Sequence, residues 1–146
     1  MGKTTVTRSI AATPERVFEA VAHIENFSEM VDSITNVEFL SEQRTGVGTR
    51  FRETRIMKGR ETTTTLEVTE YRPPELVRLV SDEGGTIWDT VFTVRPMGAS
   101  AQLVMVMDTK PYKLMARIVT PLMSGMVRKA IESDMDAVKS HCEMAG

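Results

Sequence analysis

The spacing of apolar positions changes along this chain, and each change predicts an element. Thr4-Thr5-Val6-Thr7-Arg8-Ser9-Ile10 is rich in β-branched residues and loosely alternating, the pattern of a strand. The period then lengthens: Val17, Phe18, Val21 and Ala22 recur at helical spacing behind Thr13-Pro14-Glu15. That triplet is a helix start, with a hydroxyl to cap free N–H groups, a proline suited to the first turn and a carboxylate at the positive end of the dipole. A second short helix is predicted from Asn26. Asn26 and Glu29 stand three apart, as in a capping box, with Phe27, Met30 and Val31 as apolar contacts.

From residue 34 to 109 the punctuation is that of antiparallel strands, set by Gly46, Gly48, Gly59, Pro73-Pro74, Gly84-Gly85, Pro96 and Gly98. The breaks leave strands at 34–40, 48–57, 61–71, 75–82, 86–95 and 101–109, joined by links short enough for hairpins, so a meander is expected. Trp88, Thr90, Phe92 and Val94 alternate with Asp89 and Thr93, and Leu103, Met105 and Met107 with Gln102 and Asp108. The sheet should therefore have one wet and one covered face. A C-terminal helix must do the covering. Its start is predicted at Thr120-Pro121, repeating the logic of Thr13-Pro14, because Met115, Ile118, Val119 and Leu122 cluster on a side rotated well away from Val127, Ala130, Ile131 and Val138. From 121 to 143 the apolar arc is wide, taking in Leu122, Met123, Met126, Val127, Ala130, Ile131 and Val138. Such a helix is gripped from more than one direction.

In this order of elements the chain resembles the START-like (SRPBCC) superfamily, most closely its polyketide cyclase/dehydrase branch. The resemblance covers nearly the whole chain. It is carried by Ile10-Ala11-Ala12-Thr13-Pro14-Glu15-Arg16-Val17-Phe18, by Gly46-Val47-Gly48-Thr49-Arg50 and by Glu70-Tyr71-Arg72-Pro73-Pro74-Glu75-Leu76. It implies an α+β helix-grip fold: a curved antiparallel sheet wrapped around a long C-terminal helix, with two short helices after the first strand. It also implies a deep apolar cavity between sheet and helix, used by different members to carry lipids, hold hormones or fold polyketide chains. Fold analogy does not choose among these.

Composition narrows the choice. At 146 residues the chain is the size of one domain, taken as 1–146. Eighteen Lys and Arg against twenty Asp and Glu give a net charge of −2, which offers no global attraction to nucleic acid. Lys3, Arg8, Glu15, Arg16, Glu19 and Glu25 interrupt any signal-peptide core, and no run is long and apolar enough to span a bilayer, so a cytoplasmic protein is expected. Cys142 stands alone and reads as an inert thiol, and with only His23 and His141 beside it no metal site and no cofactor are expected. His23 reads as a helix-end residue rather than a base.

The remaining chemistry lies in the strands. The stretch Arg44, Arg50, Arg52, Arg55, Lys58 and Arg60 reads as a solvated face, but alternation sharpens the question: if Phe51 faces the cavity, Glu53 and Arg55 follow, and if Ile56 does, Arg50 and Arg52 follow. Either parity brings a charge inside, with Arg52 and Glu53 as possible polar groups of the pocket. A guanidinium there could hold a ligand carboxylate or phosphate, or simply form an interior salt bridge. Eleven methionines supply adaptable apolar surface. The ligand-facing set expected from the pattern is Phe51, Leu66, Trp88, Phe92, Leu103, Met105, Met107, Met123, Met126 and Ala130. The function expected is a carrier or sensor of a hydrophobic or amphipathic small molecule, in a monomer or weak homodimer. The alternative is a polyketide cyclase or dehydratase using the same cavity, with Arg52, Glu53, Tyr71 and Asp108 as its acid and base candidates. A third reading, a partner-binding module, requires an exposed apolar patch that the periodicity does not mark out.

Overall fold

The computed structural model describes residues 2–144. Strand β1 (Gly2–Ile10) leads into α1 (Pro14–Ala22) and α2 (Ile24–Met30). The meander follows as β2 (Ile34–Phe39), β3 (Arg50–Met57), β4 (Arg60–Arg72), β5 (Leu76–Glu83), β6 (Thr86–Met97) and β7 (Ser100–Pro111), and the chain closes with α3 (Leu114–Leu122) and α4 (Ser124–Met144). All strands join one antiparallel sheet of order β1-β7-β6-β5-β4-β3-β2, so β1 returns to the edge opposite β2.

Registers fix the faces. Val6, Met105, Phe92 and Val77 lie in one cross-strand row, and Arg8, Leu103 and Val94 in the next, all turned toward the helices. Phe51 pairs with Leu66 and Glu53 with Thr64, which settles the parity of β3: Phe51, Glu53 and Arg55 face inward. Arg52 is therefore not a pocket group. It points to the opposite face, where its Nη1 donates to Glu38 Oε1 at 2.9 Å.

Helix α4 spans the sheet's opening. It packs along β1, where Arg8 Nε donates to Asp136 Oδ1 at 2.7 Å and Lys139 Nζ donates to the Ser9 carbonyl at 2.6 Å. From its other side Asp134 reaches Arg55 on β3, next to the far edge. One helix thus ties both margins of the curved sheet, and the fold is a helix grip.

The helix starts show where local pattern yields to packing. Thr13 caps α1 as expected, its hydroxyl accepting from Arg16 N at 3.2 Å. Helix α2 begins two residues earlier than Asn26 and has no side-chain cap; His23 closes α1 and opens α2 with extended backbone. Burial of Ile24 beneath the turn outweighs the Asn26 capping pattern. Thr120-Pro121 does not start the last helix either. Pro121 lies in the final turn of α3, and the Thr120 hydroxyl is spent on Thr86 Oγ1 at 2.8 Å rather than on a cap. The break comes at Met123, whose N–H turns back to the Thr120 carbonyl before α4 sets off in a new direction.

Candidate functional site

The inner face of the sheet is filled unevenly. At the end covered by α1 and the C-terminal half of α4, the core is closed: Ile10, Val17, Leu103, Met135 and Val138 are fully buried. Phe18 meets Tyr71 edge-on at 5.6 Å and Phe27 meets Phe92 at 6.0 Å, geometries that aromatic rings favour. Toward α3 the same face opens. Leu66, Trp88 and Met107 remain half-buried on the sheet, as do Met123 at the break between the last two helices and Val127 and Ala130 on α4. The Trp88 indole N–H points to the Glu83 carbonyl at 3.4 Å, and Ser81, Thr86 and Thr90 add buried hydroxyls to the floor.

This distribution sorts the predicted ligand-facing set. Phe51, Phe92, Leu103 and Met105 point inward but are sealed in the core. Leu66, Trp88, Met107, Met123 and Ala130 are half-buried. Met126, 44% exposed, lies on the outer flank of α4. Arg52 and Asp108 face the convex side.

A charge cluster lies on the inner face at β3. Arg55 Nε donates to Glu53 Oε2 at 2.9 Å, while Nη1 and Nη2 make a two-point contact with Asp134 at 3.1 and 2.9 Å. Burial works to lower the Arg55 pKa, but the two carboxylates more than offset it and hold the guanidinium charged, above its ordinary value. Burial pushes the Asp134 carboxyl up, against the pull of Arg55. The three groups satisfy one another. The sequence pattern offered Glu53 and Arg55 as one of two parities and missed Asp134; its signal was an acid on the apolar arc of α4, between Ile131 and Val138.

Hollows among the described residues lie outside the grip. One, of about 170 Å³, sits between α1, α2 and the end of α4, lined by Arg16, Glu19, Asn26 and His141 among others. Cys142 adjoins it, fully buried, with burial pushing its thiol up. The other, of about 340 Å³, is on the convex face, where Arg78 holds Asp89 through contacts at 2.6 and 2.9 Å and reaches Glu70 at 3.0 Å. These hydrogen bonds from Arg78 hold the Asp89 carboxyl below its usual range, against the effect of burial. Among the described residues no group of His, Cys, Asp and Glu could hold a metal ion, and no helix is long and apolar enough to cross a membrane.

Residues 1–143 match the family described as polyketide cyclase/dehydrase and lipid transport. No match was found among curated proteins. Solved structures give the same architecture. TTHA0849 from Thermus thermophilus superposes with a TM-score of 0.81 at 18% identity, covering 99% of each chain. The Zhui aromatase/cyclase from a Streptomyces species gives 0.81 at 17% identity, over 97% of this chain and 93% of that one. A START superfamily protein from Mycobacterium smegmatis gives 0.75 at 19% identity, covering 99% of both. At such identities the likeness is one of fold, while the match over nearly the whole sequence means that the chain belongs to the polyketide cyclase/dehydrase and lipid transport family.

Proposed function

We propose that this member of the polyketide cyclase/dehydrase and lipid transport family is a carrier or sensor that takes an apolar or amphipathic small molecule against the strip formed by Leu66, Trp88, Met107, Met123, Val127 and Ala130. The observation that carries the reading is the contrast on one sheet face between a sealed aliphatic core and a half-buried strip rich in methionine. A guest there can be accommodated by moving side chains. Unbranched thioethers do this at small cost, having several near-equal rotamers. The charge cluster supports carriage over catalysis. Glu53 and Asp134 are both engaged by Arg55, and a general acid or base needs a proton-transfer group free to meet its substrate. Of the other acid and base candidates, Arg52 and Asp108 face away, and Tyr71 packs on Phe18.

Trp88 is the sole tryptophan, so its emission reports on this strip. Titration with palmitate and with a hydroxylated anthracene should shift that emission saturably and raise the melting temperature by mass action. Met107→Arg, which brings a charge onto the strip, should abolish both effects, and Met126→Arg, on the outer flank, should leave them intact. Silence from both probes in emission and melting rejects the carrier reading. Chemical conversion of a polyketide-like guest would favour the cyclase.

A further inference from the structure

Helix α3 is amphipathic the wrong way round for a core helix. At roughly 100° per residue, Leu114, Met115, Ile118, Val119 and Leu122 form one fan, and Ala116 and Thr120 lie on the opposite side. The small side is the one that packs on the protein. Ala116 and Thr120 are buried, while the fan is turned to solvent, with Leu114 76% and Leu122 81% exposed. Tyr112 and Met126 extend this apolar surface at its two ends. A contiguous patch of this kind on a soluble domain marks a surface that something covers.

Charge identifies the cover. Residues 109–131 contain Lys110, Lys113, Arg117, Arg128 and Lys129 and no Asp or Glu, a local +5 in a chain of net −2 that leaves −7 for the rest. Lys110 reaches Asp89 at 3.5 Å and Arg128 reaches Glu132 at 3.7 Å; Lys113, Arg117 and Lys129 make no ion pair among the described residues. We infer that this segment docks the protein on the anionic surface of a lipid bilayer, with the fan of α3 entering the acyl boundary and the cations meeting headgroup phosphates. Long basic side chains can extend from an inserted apolar face to the headgroups. The acidic remainder is repelled by the same surface and fixes the orientation. A second copy of the chain fits the patch poorly, since a symmetric contact would set one cationic segment against another. The exposed aliphatic tips also present few hydrogen-bonding groups for a folded partner to read, whereas hydrocarbon requires none.

Flotation with vesicles tests this, and since no small-molecule guest is added, it stands or falls apart from the carrier reading. The protein should float with phosphatidylcholine vesicles containing phosphatidylglycerol and not with phosphatidylcholine alone, and should be released by high salt. Ile118→Asp with Leu122→Asp should abolish flotation, and Lys113→Ala and Arg117→Ala should each weaken it about fivefold. All four side chains are exposed, so circular dichroism should show unchanged folding; if the Asp variant fails that control, the two charge variants decide. Absence of flotation on anionic vesicles, equal flotation on neutral ones, or indifference to the substitutions overturns the proposal. So does a dimer in sedimentation that the Asp variant dissolves, which would assign the patch to a second copy.

Discussion

Leu103 and Met107 lie four residues apart on one strand, on one face, yet Leu103 is completely buried and Met107 is not. The same contrast separates Val94 from Trp88 on β6. Alternation along a strand decides which way a side chain points, and what lies above it decides how much water it loses. Over Leu103 and Val94 stand α1 and the far half of α4, which bring Val17, Met135 and Val138 into contact. At the other end α3 packs on β7, anchored through Ala116 and through the Thr120 hydroxyl contact with Thr86 on β6. The sealed end supplies stability, and the open end carries the surface proposed to take a guest. Arg55, Glu53 and Asp134 add a polar brace between sheet and α4.

Breaking the brace is expected to have the largest effect. Arg55→Ala leaves two carboxylates on the inner face with no cation between them, and removal of one partner from a buried pair costs about 3–5 kcal/mol. Urea unfolding should show this as a lower midpoint. The pH dependence gives the sign. Burial already raises the Asp134 carboxyl, and without Arg55 nothing opposes it. A carboxyl raised in the folded state destabilises above its folded pKa and ceases to do so once protonated. The variant should therefore be weakest at neutral pH and recover part of its deficit on acidification. A deficit independent of pH would mean that Arg55 acts by packing alone.

The next test compares the two ends directly. Leu103→Ala opens a hole where nothing can collapse inward and should cost about 2–5 kcal/mol. Met107→Ala, from a side chain already partly wet, should cost about 1 kcal/mol, because less apolar surface is lost. Equal losses would show that the strip near α3 is ordinary core, and the contrast drawn from the exposures would fail.

The elements behind this contrast were legible in the sequence, but the contrast was not, since Phe51, Phe92, Leu103 and Met105 were expected in one ligand-facing set with Trp88 and Met107, and the illegible part has a common cause. Gly and Pro mark chain reversals locally, so the strand limits between residues 34 and 109 could be read to within two residues, and Thr13-Pro14 could be read as a cap. Parity on β3 could be narrowed to two alternatives but not decided, since Arg52 and Arg55 are equally compatible with an isolated strand; pairing with β4 selects one. Asn26 and Thr120 carry the right chemistry for caps, yet Ile24 and Thr86 redirect them through contacts that sequence spacing does not reveal. The fan of α3 was visible as periodicity in Met115, Ile118, Val119 and Leu122. Its exposure was not, because a helical period states that a face is apolar without stating that protein covers it.

The smallest expected effect concerns the joint between the two regions. Proline in a helix interior removes a hydrogen bond and presses its ring on the carbonyl four residues back, at about 3 kcal/mol or more. Pro121 lies one residue from the end of α3, so the carbonyl it leaves unbonded is that of Arg117, on an exposed helix where water can serve it. Pro121→Ala should therefore change the melting temperature little. Alanine would, however, restore the N–H and free α3 to continue toward α4, and the turn at Met123 would then depend on its own bond to the Thr120 carbonyl and on the hydroxyl contact between Thr120 and Thr86. Ala130→Pro, two turns into α4, has no such relief and should lose the full interior cost, giving the scale against which the first change is read. If Pro121→Ala destabilises the fold as strongly as Ala130→Pro, then the proline, and not the packing around Met123, sets the angle at which α3 leaves the grip.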